Sequence, residues 1–299
     1  MHLPHNKKIF FLSDFHLGAP NASASAEREK HIVAFLESIK QEAHAIFIVG
    51  DVFDFWYEYK TVVPRGYVRL LGKIAELTDA GIDIHFFVGN HDMWMNNYFQ
   101  KELNVPVYYE PKEFVLNNKV FLIGHGDGLG PGDHGYKFMK KVFRNPICQW
   151  LFGILPPYFG MNMAKYFSNK SRNADKGDEE IFLGEENEWL ITYSKQCLQK
   201  KHFDFFVFGH RHLPIDFNLT PNPSPAELER GATGSLDSVK LDISATDGHF
   251  PANLERGGTV SRYINLGEWI NYDSYAVFDG NDVTLKSFSG KEHKIYTNR

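Results

Sequence analysis

Short, nearly continuous apolar runs alternate with amphipathic stretches along the first 130 residues. KIFFLSD (8–14) is followed by AEREKHIVAFLESIKQ (26–41), AIFIVGD (45–51), GYVRLLGKIAELTDAG (66–81) and IDIHFFVGNHD (82–92). In the two longer stretches the apolar positions recur three and four apart, at Ile32, Val33, Phe35, Leu36 and Ile39 and at Val68, Leu71, Ile74, Ala75 and Leu77, which marks one face of a helix. The short runs lack polar alternation and read as strands buried on both faces. Strand, helix, strand, helix, strand predicts an α/β fold. KVFLIGHGD, DFFVFGHRH, RYINLG and SYAVFDG supply further strand candidates downstream.

Two regions break the rhythm. RNPICQWLFGILPPYFGMNMAKYF is apolar and aromatic, with Pro156 and Pro157 interrupting any long helix, and is followed by the polar run SNKSRNADKGDEE. The stretch from about 221 to 258 is rich in Pro, Gly, Ser and Asp and reads as a polar loop insert.

The strand candidates share one property: each runs into side chains that bind metals. Asp14 and His16 follow the first, Asp51 and Asp54 the second, Asn90, His91 and Asp92 the third, His125 and Asp127 the fourth, and His210 and His212 the fifth. A single histidine is more often a structural or surface residue. In an open α/β sheet, however, ligands bind beyond the carboxyl ends of the strands, so all five groups are expected to converge. Imidazole, carboxylate and amide oxygen together suit borderline divalent ions such as Mn, Fe or Zn. Two such ions can neutralise the entering and leaving oxygens of an in-line displacement, which points to phosphoester or phosphoanhydride hydrolysis.

Composition narrows the setting. The 299 residues are 43% hydrophobic, enough for an ordinary core, and a net charge of -5 gives no electrostatic footprint for nucleic acid. The opening segment carries neither a secretory signal nor a membrane span, so a cytoplasmic location is expected. Cys148 and Cys197 form no C-x-x-C pattern and read as packing residues. Nothing in the sequence points to a particular oligomeric state.

The ordered series D-x-H, G-D-x-x-D, G-N-H-D, G-H-x-D and G-H-x-H, spanning roughly residues 8 to 215, resembles the calcineurin-like metallophosphoesterase superfamily. The resemblance implies one domain over 1–299, a four-layer α/β/β/α sandwich with a helical lid insertion at about 132–200. It implies that Asp14, His16, Asp51 and His212 hold one divalent ion and Asp51, Asn90, His125 and His210 a second, with Asp51 bridging. Mn is the first expectation, Fe and Zn the others. Gly50, Gly89 and Gly209, just before ligands, are expected to let the backbone approach the ions.

Within the superfamily, FLSDFHLG, GDVFDFW, HGDGLGPGD and YINLGEWINYDSYAVFDG are similar to the bacterial UDP-2,3-diacylglucosamine diphosphatases of lipid A assembly. Such a substrate needs an apolar surface for acyl chains, which WLFGILPPYFGM would provide, and cations for a nucleotide diphosphate, among which Lys165, Lys170, Arg172 and Lys176 are candidates. Lys140, Lys141 and Arg144 beside that apolar face would suit peripheral contact with an anionic inner membrane. One position departs: His91 stands where these diphosphatases often carry Arg. With Asn90 it is expected to contact phosphoryl oxygens. In phosphatases with His at this place it protonates a leaving alkoxide, oriented by the residue matching Asp54, and that keeps phosphomonoesterase or phosphodiesterase activity as the alternative.

Overall fold

The computed structural model describes the chain except for Asp133, residues 176–180, 220–259 and 291–293, and Arg299; for Lys165 and residues 169–175 it gives the backbone alone. Lys176 and the polar stretch at about 221–258 therefore lie outside the described residues.

Two six-stranded sheets face each other. In the first, β1 (Lys8–Leu12), β2 (Ala43–Val49), β3 (Asp83–Phe87) and the short β4 (Val107–Tyr108) run parallel, and β10 (Ser274–Phe278) and β11 (Val283–Ser287) extend the β1 edge antiparallel. The second sheet centres on the parallel trio β6 (Lys119–Gly124), β7 (Phe205–Phe208) and β9 (Ser261–Leu266). It is flanked by β5 (Lys112–Leu116) on one side and by β8 (Pro214–Leu219) and β12 (Tyr296–Thr297) on the other.

Alternate residues along β1 serve different cores, which explains the unbroken apolar runs. Phe10 and Leu12 pack with Ile32, Phe35 and Leu36 of α1 (Ala22–Ile39) and with Leu70 and Ile74 of α2 (Val68–Asp79). Ile9 and Phe11 point the other way, meeting Phe121, Ile123, Phe205 and Val207 between the sheets. Beyond the second sheet, Phe206, Phe208 and Tyr263 pack with Leu190, Ile191 and Cys197 of α7 (Trp189–Leu198). Three apolar seams thus separate helix, sheet, sheet and helix, the expected α/β/β/α order. The helices are fixed by polar detail as well: Asn21 caps α1 by accepting from the Ala24 N–H at 3.0 Å. α2 has no capping side chain of its own, and buried Glu29 of α1 fills that role, accepting from the Arg69 and Leu70 N–H groups at 2.8 and 3.0 Å.

Between β6 and α7 the chain leaves the sandwich as α4 (His134–Phe143), α5 (Pro146–Ile154) and α6 (Pro157–Asp175). Pro146 and Pro157 sit at helix starts, where a missing N–H costs nothing, so they divide the segment into helices without distorting any. Phe152 and Ala164 anchor this lid against Tyr57, with Phe55, Tyr59 and Trp94 around them.

Candidate metal centre

The candidate ligand loops begin where parallel strands end, and three of them are bent sharply at the ligands themselves. Asp14, His16, Asp51, His210 and His212 all have positive φ, between 45° and 70°. Non-glycine residues adopt this left-handed conformation only when the surroundings compel it, at a cost on the order of 1 kcal/mol or more each. The compulsion is visible. Buried Arg28 of α1 donates to the His16 carbonyl at 2.7 Å, and the Trp269 N–H donates to the Asp14 carbonyl at 3.1 Å.

These loops bring the residues together in two triads. Asp14, His16 and His212 offer ligand atoms within 4.8 Å of one another, as do Asp51, His125 and His210. In the first, Asp14 Oδ1 faces the Nε2 atoms of His212 at 3.2 Å and His16 at 3.6 Å, while those two nitrogens stand 3.0 Å apart. Asp14 Oδ1 is buried and makes no hydrogen bond among the described residues. A buried carboxylate oxygen and two converging imidazole nitrogens, with no thiolate among them, form the donor set that a borderline divalent cation takes up. In the second triad His125 Nε2 lies 3.2 Å from Asp51 Oδ2 and 3.1 Å from Asn90 Oδ1, so Asn90 joins it through its amide oxygen. A third group, His16, Asp51 and His91, also lies within 4.8 Å, which places Asp51 between the two sites and brings His91 to their junction.

Burial and charge pull against each other here. Burial works to raise the Asp14 carboxyl, yet the His16 and His212 imidazoles hold it well below the usual carboxylate range. His125 is pushed up to about 10: burial opposes its proton, and the Asp51 carboxylate beside it overrides that. A cation entering the second triad would replace that proton as the partner of Asp51. His16, by contrast, is driven down to about 4, chiefly by burial, and stays a neutral donor.

The glycines before the ligands leave room for neighbouring loops. A Cβ at Gly89 would strike the Asp51 carboxylate, and one at Gly209 would meet Ser13 Oγ and lie 2.6 Å from Asp14 Oδ2. The space they leave is filled by ligands of neighbouring loops, so their absent side chains pack the ligands against one another. Asp92 does related work that the motif alone does not reveal: its carboxylate accepts from the Val52 N–H at 2.9 Å and the Gly89 N–H at 2.7 Å, tying the second and third loops together. Ser13, which the sequence pattern does not single out, donates its hydroxyl to Asp14, with the Val49 carbonyl 3.1 Å away.

His91 Nδ1 lies 3.2 Å from the Asp54 carbonyl oxygen and 3.8 Å from Asp54 Oδ1. Ser168 of α6 shares the contact, with its hydroxyl 3.2 Å from the same nitrogen and 3.1 Å from the same carbonyl. The lid thus reaches the junction of the triads. Asp127, the last acid of the strand-end series, turns away from them: its carboxylate binds Tyr136 at 2.7 Å and Lys140 at 2.6 Å, both on α4.

The family model for calcineurin-like phosphoesterases matches residues 7–214. The chain belongs to that family. A UDP-2,3-diacylglucosamine hydrolase of Porphyromonas gingivalis is 36% identical over 299 residues, covering 95% of this chain and 99% of that protein. Proteins of the same name from Histophilus somni and Shigella dysenteriae are 28% and 26% identical, covering 80% and 72% of this chain and 97% and 86% of their own lengths.

The helical insertion α4–α6 lies beside the candidate metal bay. A groove of about 440 Å³ runs between α6 and the segment after Asp54, lined by Asp54 and Arg65 and otherwise largely by Phe55, Tyr59, Val63, Pro157, Tyr158 and Met161. Of the pair Phe55 and Trp56, only Phe55 faces this groove; Trp56 is fully buried and stacks on Phe53 at 4.4 Å. The outer surface of the lid exposes Phe138, Ile147, Trp150, Leu151, Ile154 and Phe159. Two of the cations expected to border that surface turn inward. Lys140 is held by Asp127, and Arg144 by Glu110 and the Tyr109 carbonyl, leaving Lys141 exposed. Lys165, Lys170 and Arg172 lie on α6, whose backbone alone is described there, and Lys176 follows it outside the described residues. No described helix is long and apolar enough to cross a membrane.

Proposed function

We propose that this enzyme is a dinuclear-metal diphosphatase that cleaves UDP-2,3-diacylglucosamine to 2,3-diacylglucosamine 1-phosphate and UMP in lipid A biosynthesis. The observation that carries the reading is the near full-length likeness to the Porphyromonas gingivalis UDP-2,3-diacylglucosamine hydrolase, 36% identical over 95% of the chain. The groove supports it. At about 440 Å³ it has the size of a small-molecule site, with polar Asp54 toward the bay and apolar walls for acyl chains.

The ions, Mn first and Fe or Zn as the other candidates, would be held by Asp14, His16, Asp51 and His212 and by Asp51, Asn90, His125 and His210. When bound, they neutralise phosphoryl charge and supply a nucleophile at neutral pH. The chain's own residues do the rest. Asp51 holds both sites in one frame, and its negative charge offsets the repulsion of two close cations. Asn90, His91 and His210 border the place where phosphoryl oxygens would sit, and Asp54 and Ser168 fix the ring of His91. The departing sugar phosphate has a second pKa near 6, so it leaves without a proton donor, and His91 serves to bind charge. Lys170, Arg172 and Lys176 would meet the nucleotide diphosphate. The exposed apolar face of α4 and α5 would rest on the cytoplasmic leaflet of the inner membrane, where the substrate's acyl chains reside.

A second reading rests on the closeness of His91 to Asp54, the arrangement of a general acid in a phosphomonoesterase or phosphodiesterase. Hydrolysis of UDP-2,3-diacylglucosamine with added Mn, run beside an aryl phosphoester with products resolved by mass, separates the two. UMP release far exceeding aryl ester cleavage is expected. Turnover of the aryl ester alone would remove the lipid substrate and leave the phosphoesterase.

A further inference from the structure

Between the two histidines of the last motif stands Arg211, a fully buried cation that belongs to neither triad. Its guanidinium forms a two-pronged pair with the buried carboxylate of Glu188, Nε to Oε2 and Nη2 to Oε1, both at 2.9 Å. It also donates to the Ile181 carbonyl at 2.8 Å and lies over the Trp189 ring at 4.7 Å. Glu188 is itself engaged at the start of α7, where Oε1 accepts from the Leu183 N–H at 3.1 Å. Arg211 therefore fastens the loop carrying His210 and His212 to the segment by which the chain returns from the lid to the sandwich.

The loop needs an outside hold. His210 and His212 have φ of 70° and 53°, and the Arg211 N–H closes a tight turn onto the Gly209 carbonyl at 2.9 Å, which Asn265 also grips. Burying an ion pair gains little stability over well-packed apolar groups of the same size, so stability is a poor reason for this one. A planar fork, however, fixes orientation as an apolar contact cannot. Because successive side chains in this turn point apart, locking Arg211 into the scaffold aims its two neighbours toward the bay.

We propose that Arg211 is a positioning residue for the metal centre: paired with Glu188, it presets His210, in one triad, and His212, in the other, so that both sites take their ions without rearranging the loop. This rests on the two-metal reading above. Supporting groups of this kind are worth about 10- to 100-fold in metal affinity.

The test measures Mn binding by titration calorimetry and elemental analysis on purified full-length protein, with melting temperature and the separate kcat and KM recorded alongside. Arg211→Met is expected to bind Mn about 10- to 100-fold more weakly. Arg211→Lys, which keeps the charge but loses the fork, is expected to fall between it and the wild type. Because Arg211→Met strands the buried Glu188 carboxylate at a cost to folding, the double variant Arg211→Met/Glu188→Leu removes both charges. It is expected to melt near the wild type and still bind Mn weakly, with the loss in kcat recovered at high Mn while KM is little changed. Wild-type Mn affinity in the double variant, or in Arg211→Lys should the double variant not fold, would overturn the proposal and leave the pair a structural one. Failure of the wild-type protein to bind any divalent ion would instead overturn the two-metal reading itself.

Discussion

Asp14 and Asp51 in the metal bay are 0% and 1% exposed, whereas Trp150 and Tyr158 of the lid are 65% and 85% exposed. The bay buries charge, and its loops are braced from outside: Asp92 ties two loops, Arg28 a third and Arg211 a fourth. The lid exposes apolar side chains and meets the sandwich through a small aromatic cluster and a few polar contacts, such as Tyr57 to the Gln149 carbonyl and Trp94 to the Phe143 carbonyl. The contrast separates two tasks. Under the proposed function, chemistry belongs to the braced frame and recognition of a large amphiphile to an appendage that meets the bay through few contacts, Ser168 on His91 and Lys140 on Asp127 among them.

The sharpest way to break that division is Asp51→Ala. Removing the carboxylate shared by both sites is expected to reduce turnover of lipid substrate and aryl ester alike, by at least about 10²- to 10³-fold, the scale on which charge stabilisation at a reacting centre acts. Survival of either activity in metal-replete protein would disprove the shared bay. Phe152→Ala acts on the other side. Opening a cavity beneath the lid is expected to cost about 3 kcal/mol of lid docking, visible as faster hydrogen exchange in α5 and α6 and a raised KM for the lipid, with aryl ester cleavage unchanged. A parallel loss of both activities would mean that lid and bay are one unit.

Met161→Glu places a charge in the apolar wall of the groove and is expected to lower kcat/KM for the lipid about 10- to 100-fold, again sparing the aryl ester. The smallest effect tests the frame alone. His85 lies away from the triads, stacked on Phe47 at 4.5 Å, and burial drives it down to about 4. Its unfolded value is near 6.5, so the unfolded chain binds more protons between these limits, and stability is full above 6.5 and falls as the pH drops toward 4. His85→Phe should remove about 1 kcal/mol of that acid sensitivity between pH 7 and 5, after allowance for partial exposure, as read by denaturant melts of both proteins.

Much of this frame was legible in the residue pattern. The apolar runs KIFFLSD (8–14) and AIFIVGD (45–51) read as strands buried on both faces, and a ligand-type residue following each such run puts Asp14, Asp51, His125 and His210 on one rim. The edge strands are harder to read: Val283–Ser287 carries the polar alternation of a half-exposed strand, Lys112–Leu116 opens on two charged, exposed residues, and both are short. α7 was hidden within a stretch read as lid, because its apolar face resembles the aromatic segment before it; only its packing on Phe206 and Phe208 separates the two. The supports of the bay were illegible for a different reason. Arg28, Asp92, Glu188 and Arg211 act across distances in sequence that no local spacing encodes, and a buried Arg next to two histidines looks like any other charged residue until its partner is known.

Each triad joins distant parts of the chain. Asp14 shares one with His212, and Asp51 shares the other with His210. A polypeptide emerging from the ribosome therefore cannot assemble either ion site until its last motif has been made and both sheets have closed. The finished fold gains both triads at once. Metal capture by either triad thus follows synthesis through its last histidine, and a chain that stalls before residue 210 stays unarmed.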